Sequence, residues 1–347
     1  MSELMSAATA AAAPAPVIGN DQDLVPGREH KAGPSKKPQL PRELYVKSLP
    51  RAALFLAFST ALWVVPAALA FWIATDVSWP VWARVAAWLP CCLLAGQGLH
   101  LLGWAGHEGF HFNLHEDKKV SAVIGIVFSS MIMSFMQVGA SISHKTHHAL
   151  TNREGDPDIE IFRRFKTFWS RFLLGRVTCN RIYLFNTARM LLGREFPEYW
   201  AHPPFRWPTM RRLAVLNVMC SLAFLAAYVA IAWAHPVGAL AAIGLPHLAG
   251  VFYTGLRSYV EHAGTKVGDF VDSRTRTAPF FSWWYYFNNY HLEHHLYPSV
   301  PCYRLPKVHA WLRAGGYFDR PDVPIEPSVR GAYAYTLGRH QYPDAHA

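Results

Sequence analysis

The sequence predicts an all-α integral membrane protein with four transmembrane helices paired in two hairpins. Three observations lead there: long uncharged stretches, a shortage of charge overall, and basic residues flanking the stretches. Charged residues make up 16% of the 347 positions and hydrophobic ones 52%, whereas a soluble domain carries about a quarter charged. Aromatic residues, at 14%, fit the same setting, because Trp and Tyr collect where lipid meets water.

The first hairpin comes from two runs. Between Arg51 and Asp76 lie 24 uncharged residues, and Val85 to His107 adds another 23. At about 1.5 Å per residue, each run can cross a hydrocarbon core of roughly 30 Å. Lys36, Lys37, Arg42, Lys47 and Arg51 precede the first run, while the connector holds Asp76 and no cation before Arg84. Positive charge stays on the cytoplasmic side, so the N-terminus is expected inside. The second hairpin spans residues 213–256, which are 44 positions without Asp, Glu, Lys or Arg. His235-Pro236-Val237-Gly238 sits at its middle, as a tight turn would. Arg211 and Arg212 before it and Arg257 after it place both ends inside again.

Residues 1–45, rich in Ala and Pro, lack the basic start, apolar core and cleavage site of a signal peptide. They read as a disordered cytoplasmic tail, followed by a membrane domain over 46–325 and a C-terminal tail over 326–347. The net charge of +10 does not point to nucleic acid, since the cations flank apolar runs. A basic belt beside anionic lipid fits better. Cys91, Cys92, Cys179, Cys220 and Cys302 show no CxxC spacing and receive no role.

Histidine is where the chemistry concentrates. His107-Glu-Gly-Phe-His111 reads HxxxH, and both His144-Lys-Thr-His147-His148 and His291-Leu-Glu-His294-His295 read HxxHH. Positions i, i+3 and i+4 share one helix face, so each box can aim two or three imidazoles at one point. At the histidine frequency of this chain, a single HxxHH is expected by chance only about 0.05 times. A lone histidine is usually a satisfied or solvated polar group. That reading suits His30, His202, His340 and His346, and also His100, His115, His235, His247 and His309, which lack partners at ligand spacing.

The boxes stand at the ends of the apolar runs, all on the cytoplasmic side. The run Val120–Ser143 joins the first box to the second, so a single crossing would separate them. A re-entrant or interfacial helix is expected there. A cytoplasmic helical cap carrying a di-metal site completes the predicted fold class, because eight or more imidazoles exceed what one tetrahedral zinc takes. Imidazole accommodates iron, copper, nickel or zinc. Redox metals beside lipid suggest oxygen chemistry on an apolar substrate, for which iron is the usual metal. A zinc or nickel transporter is the rival from another class, but its histidines belong at mid-membrane rather than at helix ends.

The boxes HEGFH, HKTHH and HLEHH, with the string Asn289 to Pro306, resemble the membrane fatty acid desaturase superfamily, in particular its bacterial acyl desaturases. The resemblance covers roughly residues 50 to 315. It implies a ninth ligand, His262, in the Glu261-His262-Ala263-Gly264 stretch, beside His107, His111, His144, His147, His148, His291, His294 and His295. It implies two non-haem iron ions, with O2 as co-substrate. It further implies a fatty acyl substrate carried on lipid, coenzyme A or acyl carrier protein, membrane lipid as surroundings, and a separate ferredoxin- or rubredoxin-like electron donor. The bacterial inner membrane is the implied location. A hydroxylase or ketolase of the same superfamily, acting on a lipid such as a carotenoid, is the alternative.

Nearby carboxylates are candidates to hold the ring nitrogens that face away from a metal. Asp156 and Asp158 are the foremost, with Glu108, Glu261 and Glu293 close to the boxes. The aromatic stretch Phe280 to Phe287 reads mainly as an interfacial belt, with the mouth of an acyl tunnel as the other use.

Overall fold

A computed structural model describes residues 36–165, 167–194 and 203–332; most of the expected N-terminal tail and residues 333–347 lie outside that set. The chain begins its helices with α1 (Leu49–Thr75) and α2 (Val81–Phe110), both long and apolar enough to cross a membrane. Pro80 precedes α2, where its fixed φ suits a helix start. The outward faces of these helices are apolar, with Leu54 61% and Trp82 76% exposed. Such surface belongs against lipid.

Val120–Ser143 does turn back, but as two helices rather than one. α3 (Lys118–Ser130) and α4 (Gln137–Leu150) have 13 and 14 residues, about 20 Å each and too short to cross. Asp117 caps α3, accepting from the Lys119 and Val120 amides at 2.8 and 3.0 Å. The break between the helices carries Met133 at φ 54°, a costly backbone for a side chain of that size. Side chains from a later helix support it. Asn217 donates to the Ser134 carbonyl at 2.7 Å and the Tyr228 hydroxyl to the Met131 carbonyl at 2.5 Å. These bonds occupy carbonyls that apolar surroundings would otherwise leave bare.

Glycine brings α2 and α3 together beside the first box. A Cβ at Gly109 would stand 2.7 Å from the Gly125 Cα, and one at Gly125 would stand 2.9 Å from the Ala105 carbonyl. Only glycine permits that crossing.

α5 (Pro157–Phe162) leads to α6 (Arg176–Leu191), entered through a π-helical turn at Arg171–Gly175. The second hairpin is α7 (Trp207–Ala234) and α8 (Pro236–His262), and its turn falls at His235-Pro236 as expected. Beyond it, β1 (Thr275–Arg276) pairs in parallel with β2 (Ile325–Glu326). α9 (Pro279–Trp284), α10 (His291–Leu296) and α11 (Leu305–Ala314) build the cap. Its core holds Leu292, Val300, Leu305, Val308 and Leu312, all fully buried. Each such leucine contributes about 1.5–3 kcal/mol by leaving water. Leu40 and Leu44, ahead of the expected domain start at residue 46, pack into this same core.

Candidate metal centre

Four helices deliver nine imidazoles to one place. His107 lies in the last turn of α2 and His111 caps it. His144, His147 and His148 share the second half of α4, His262 ends α8, and His291, His294 and His295 lie on α10. The ligand nitrogens of His107, His111, His144, His148 and His294 all lie within 4.8 Å of one another, and so do those of His147, His262 and His295. Either group could hold a metal ion. His291 joins the second group, its Nε2 being 3.0 Å from that of His262 and 3.1 Å from that of His295. The His148 and His295 rings, 4.3 Å apart, link the two groups.

Hydrogen bonding shows which nitrogens point at the centre. The Nδ1 of His147 faces Asp156 at 2.8 and 3.0 Å. The Nδ1 of His262 donates to the Asp272 carbonyl at 3.0 Å. Thr151 spends its hydroxyl hydrogen on the His147 carbonyl at 2.8 Å, which leaves its oxygen to accept from His295 Nδ1 at 3.2 Å. A neutral imidazole has one N–H, so Nε2 carries a bare lone pair in His262 and His295, and in His147 once that ring has given up its second proton. The Nε2 atoms of His147 and His262 nevertheless face each other at 3.3 Å. Further Nε2 pairs are His144–His148 at 2.9 Å and His148–His294 at 3.1 Å. Ligands around one ion at about 2.0–2.1 Å take such spacings. Opposed lone pairs repel unless a proton or a metal ion lies between them. Both ring nitrogens of His107 and the Nε2 of His111 are buried without a partner, as open ligand positions would be. The donor set fits a pair of imidazole-ligated metal ions.

Burial, and then the neighbouring imidazoles, hold His111, His144, His148, His291, His294 and His295 well below the ordinary histidine range. These rings are therefore neutral and free to ligate. His147 differs. Burial lowers it, but the charges of Asp156 and Asp158 and the Asp156 hydrogen bond outweigh burial and push it up to about 9.

The carboxylates divide by role. Of the two foremost candidates from sequence, Asp156 is the partner of His147, while Asp158 is bonded instead by the Tyr183 hydroxyl at 3.3 Å. Glu108 accepts from the Cys302 amide at 3.0 Å and has an oxygen 3.4 Å from His107 Nδ1. Glu293 faces outward from the box to Thr275 and His309, so His309 is a satisfied polar group that steadies α10. His100 is satisfied too, receiving the Trp104 indole N–H at 3.0 Å and meeting Thr254 at 3.3 Å.

Some supporting residues carried no signal in the sequence. Arg257, read only as a flanking cation, is 1% exposed. It bonds Glu261 and the Asn288 carbonyl, with its guanidinium 3.3 Å from the centroid of the Trp104 ring. Such stacking on an aromatic face compensates a buried cation. Glu261 in turn lies 3.5 Å from His291 Nε2. Asn152, in the left-handed region at φ 63°, donates to Thr265 and to the Lys266 and Asp272 carbonyls. It thereby secures the loop whose carbonyl orients His262.

A cavity of about 940 Å³ opens onto the centre, walled by α2, α4, α6, α8 and the α3–α4 break. Leu99, Phe110, Ile132, Met136, Leu248 and Val251 give it an apolar interior. None of its lining residues comes from Phe280 to Phe287. Phe281 and Tyr285 pack on the Arg276 guanidinium, and Tyr286 packs on Phe55 and Phe58.

Residues 80–325 match the family model for fatty acid desaturase. The chain is 24% identical over 333 residues to the chloroplastic omega-3 fatty acid desaturase of Sesamum indicum, covering 87% of this chain and 71% of that protein. It is 27% identical over 253 residues to the sphingolipid delta(4)-desaturase DES1 of Drosophila melanogaster, covering 69% of each. It is 25% identical over 258 residues to the acyl-lipid 8-desaturase of Rebecca salina, covering 65% of this chain and 58% of that protein. With four helices long and apolar enough to span a membrane, a cluster of nine histidines and a family match running from the second of those helices through the cap, this chain belongs to the fatty acid desaturase family.

Proposed function

We propose that the nine histidines hold two iron ions and that the protein inserts a double bond into a fatty acyl chain. The observation that carries this reading is the convergence of histidine ring nitrogens into two groups, of five and of three, each with its ligand atoms within 4.8 Å of one another. When bound and reduced, the iron pair supplies the O2-dependent removal of two hydrogens from adjacent methylenes. Two electrons from a separate carrier and two protons complete the reduction of O2 to water.

The chain's own residues supply position and dryness. The apolar cavity takes the methylene chain and lays it against His107, His144 and His262, which are among its lining residues. Holding the reacting carbons still is worth several kcal/mol of barrier. Asp156, the Asp272 carbonyl and Thr151 fix the ring orientations of His147, His262 and His295. The packed cap over α10 keeps bulk water from the site.

The histidine face is read as cytoplasmic in a bacterial inner membrane. Lys47, one of the cations flanking the first span, lies at that end, its amide donating to Glu116 at 3.2 Å. Positive charge on this side satisfies the orientation rule and offers a surface for an acidic ferredoxin- or rubredoxin-like donor. The test is metal analysis of the purified protein together with mass spectrometry of its lipid products. About two irons per chain and acyl species lighter by two hydrogens are expected. Products heavier by one oxygen would make it a hydroxylase, and zinc without oxygen consumption would overturn the reading.

A further inference from the structure

One wall of the cavity is chemically out of place. α6 contributes Arg176, Asn180 and Tyr183 to the lining, three residues about one turn apart on a single helix face. Elsewhere along the same segment, Trp169, Leu174, Val177, Leu184, Phe185 and Leu192 are between 51% and 67% exposed. Such large apolar exposure, on a helix that also carries several arginines, marks a helix lying in the membrane interface. Its buried side packs on the metal end of a span, since Cys179 and Tyr183 share a core with Val260 and Ala263 of the α8 terminus. Arg176 therefore lies at headgroup depth and faces the space where an acyl chain would lie.

The guanidinium of Arg176 enters no ion pair or hydrogen bond among the described residues. It sits 6.0 Å from the Tyr183 ring centroid. Asp158 lines the same cavity and its charge bears on Arg176, but it accepts from the Tyr183 hydroxyl and forms no ion pair with the guanidinium. Asn180 Oδ1 is buried without a partner, and rotation of that amide puts its NH2 at the same place. A cation and an amide directed into an apolar cavity are costly unless something anionic meets them. A methylene chain offers nothing to either group. A phosphodiester offers oxygens spaced for the guanidinium fork.

We propose that Arg176 and Asn180 bind the phosphate of a membrane phospholipid, so that the substrate chain is still esterified to its lipid. This rests on the cavity being the acyl site. Coenzyme A and acyl carrier protein also carry phosphate, but they arrive from water, where the exposed Lys145 at the cavity rim would meet them first.

The experiment uses the purified full-length protein in detergent, equilibrated with phosphatidylglycerol and examined by native mass spectrometry. Arg176→Gln is expected to lower retained phospholipid about tenfold, Asn180→Ala to lower it less, and Arg176→Lys to restore part of it. Iron content is measured on each sample and should stay at the wild-type level, which separates lost recognition from a collapsed site. Oleoyl-coenzyme A is added in competition and should not displace the lipid. Unchanged retention in Arg176→Gln, or displacement by the thioester with dependence on Lys145→Gln instead, would overturn the proposal. Wild-type protein that retains lipid through Arg176 yet contains no iron would sink the functional reading and leave this site standing.

Discussion

Asp156 presents both carboxylate oxygens to Nδ1 of His147, at 2.8 and 3.0 Å. The carboxylate is itself immobilised by the amides of Asn152 and Asp158, at 2.8 and 3.0 Å. It is fully buried, so its charge acts on His147 with little screening. Replacing such a partner of a ligating histidine costs about 10–100-fold in metal affinity. Asp156→Asn is expected to fall in that range, read by chelator competition with the protein still folded. Affinity unchanged from wild type would remove Asp156 from the site.

The two subsites differ in composition but depend equally on their imidazoles. His147→Ala and His294→Ala are each expected to abolish desaturation while the protein still inserts and elutes as a single species in detergent. Near-normal turnover by either variant would show the ligand assignment to be wrong.

Metal uptake is expected to depend on pH through one ring. His147 is pushed up to about 9 in the ion-free site, so at pH 7 it carries a proton that a metal must displace. The other ligands outside the spans are already neutral. Affinity should rise about tenfold per pH unit as pH climbs toward 9, with release of about one proton per filled pair. Metal titrations at several pH values read the slope. A flat profile across that window would show that Asp156 does not hold the proton on His147.

Gly125 tests how closely α3 must approach α2. An added methyl would meet the Ala105 carbonyl and the Gly109 Cα, both at 2.9 Å, and the neighbours are backbone that cannot swing aside. Gly125→Ala is expected to destabilise by about 1–3 kcal/mol and to lower iron content, because Gly109 lies between His107 and His111. A thermal melt in detergent matching wild type would show the crossing to be looser than drawn.

By itself, the sequence determined the spans and the boxes. An uncharged run of 44 residues has few places to go but lipid, and histidines at i, i+3 and i+4 must share a helix face whatever surrounds them. These are local consequences of period and polarity. Asp156 was legible only as one of two carboxylates close to the second box, with nothing in the sequence to choose it over Asp158.

Only the tertiary structure decided the rest. It paired His147 with His262 across 115 positions, stacked Arg257 on Trp104, and broke Val120–Ser143 at Met133 with support from Asn217 and Tyr228. It also used the Asp272 backbone carbonyl, which every residue type possesses, to orient a ligand. Contacts of that kind leave no signature in residue type or spacing, because they form only when distant segments are packed against one another.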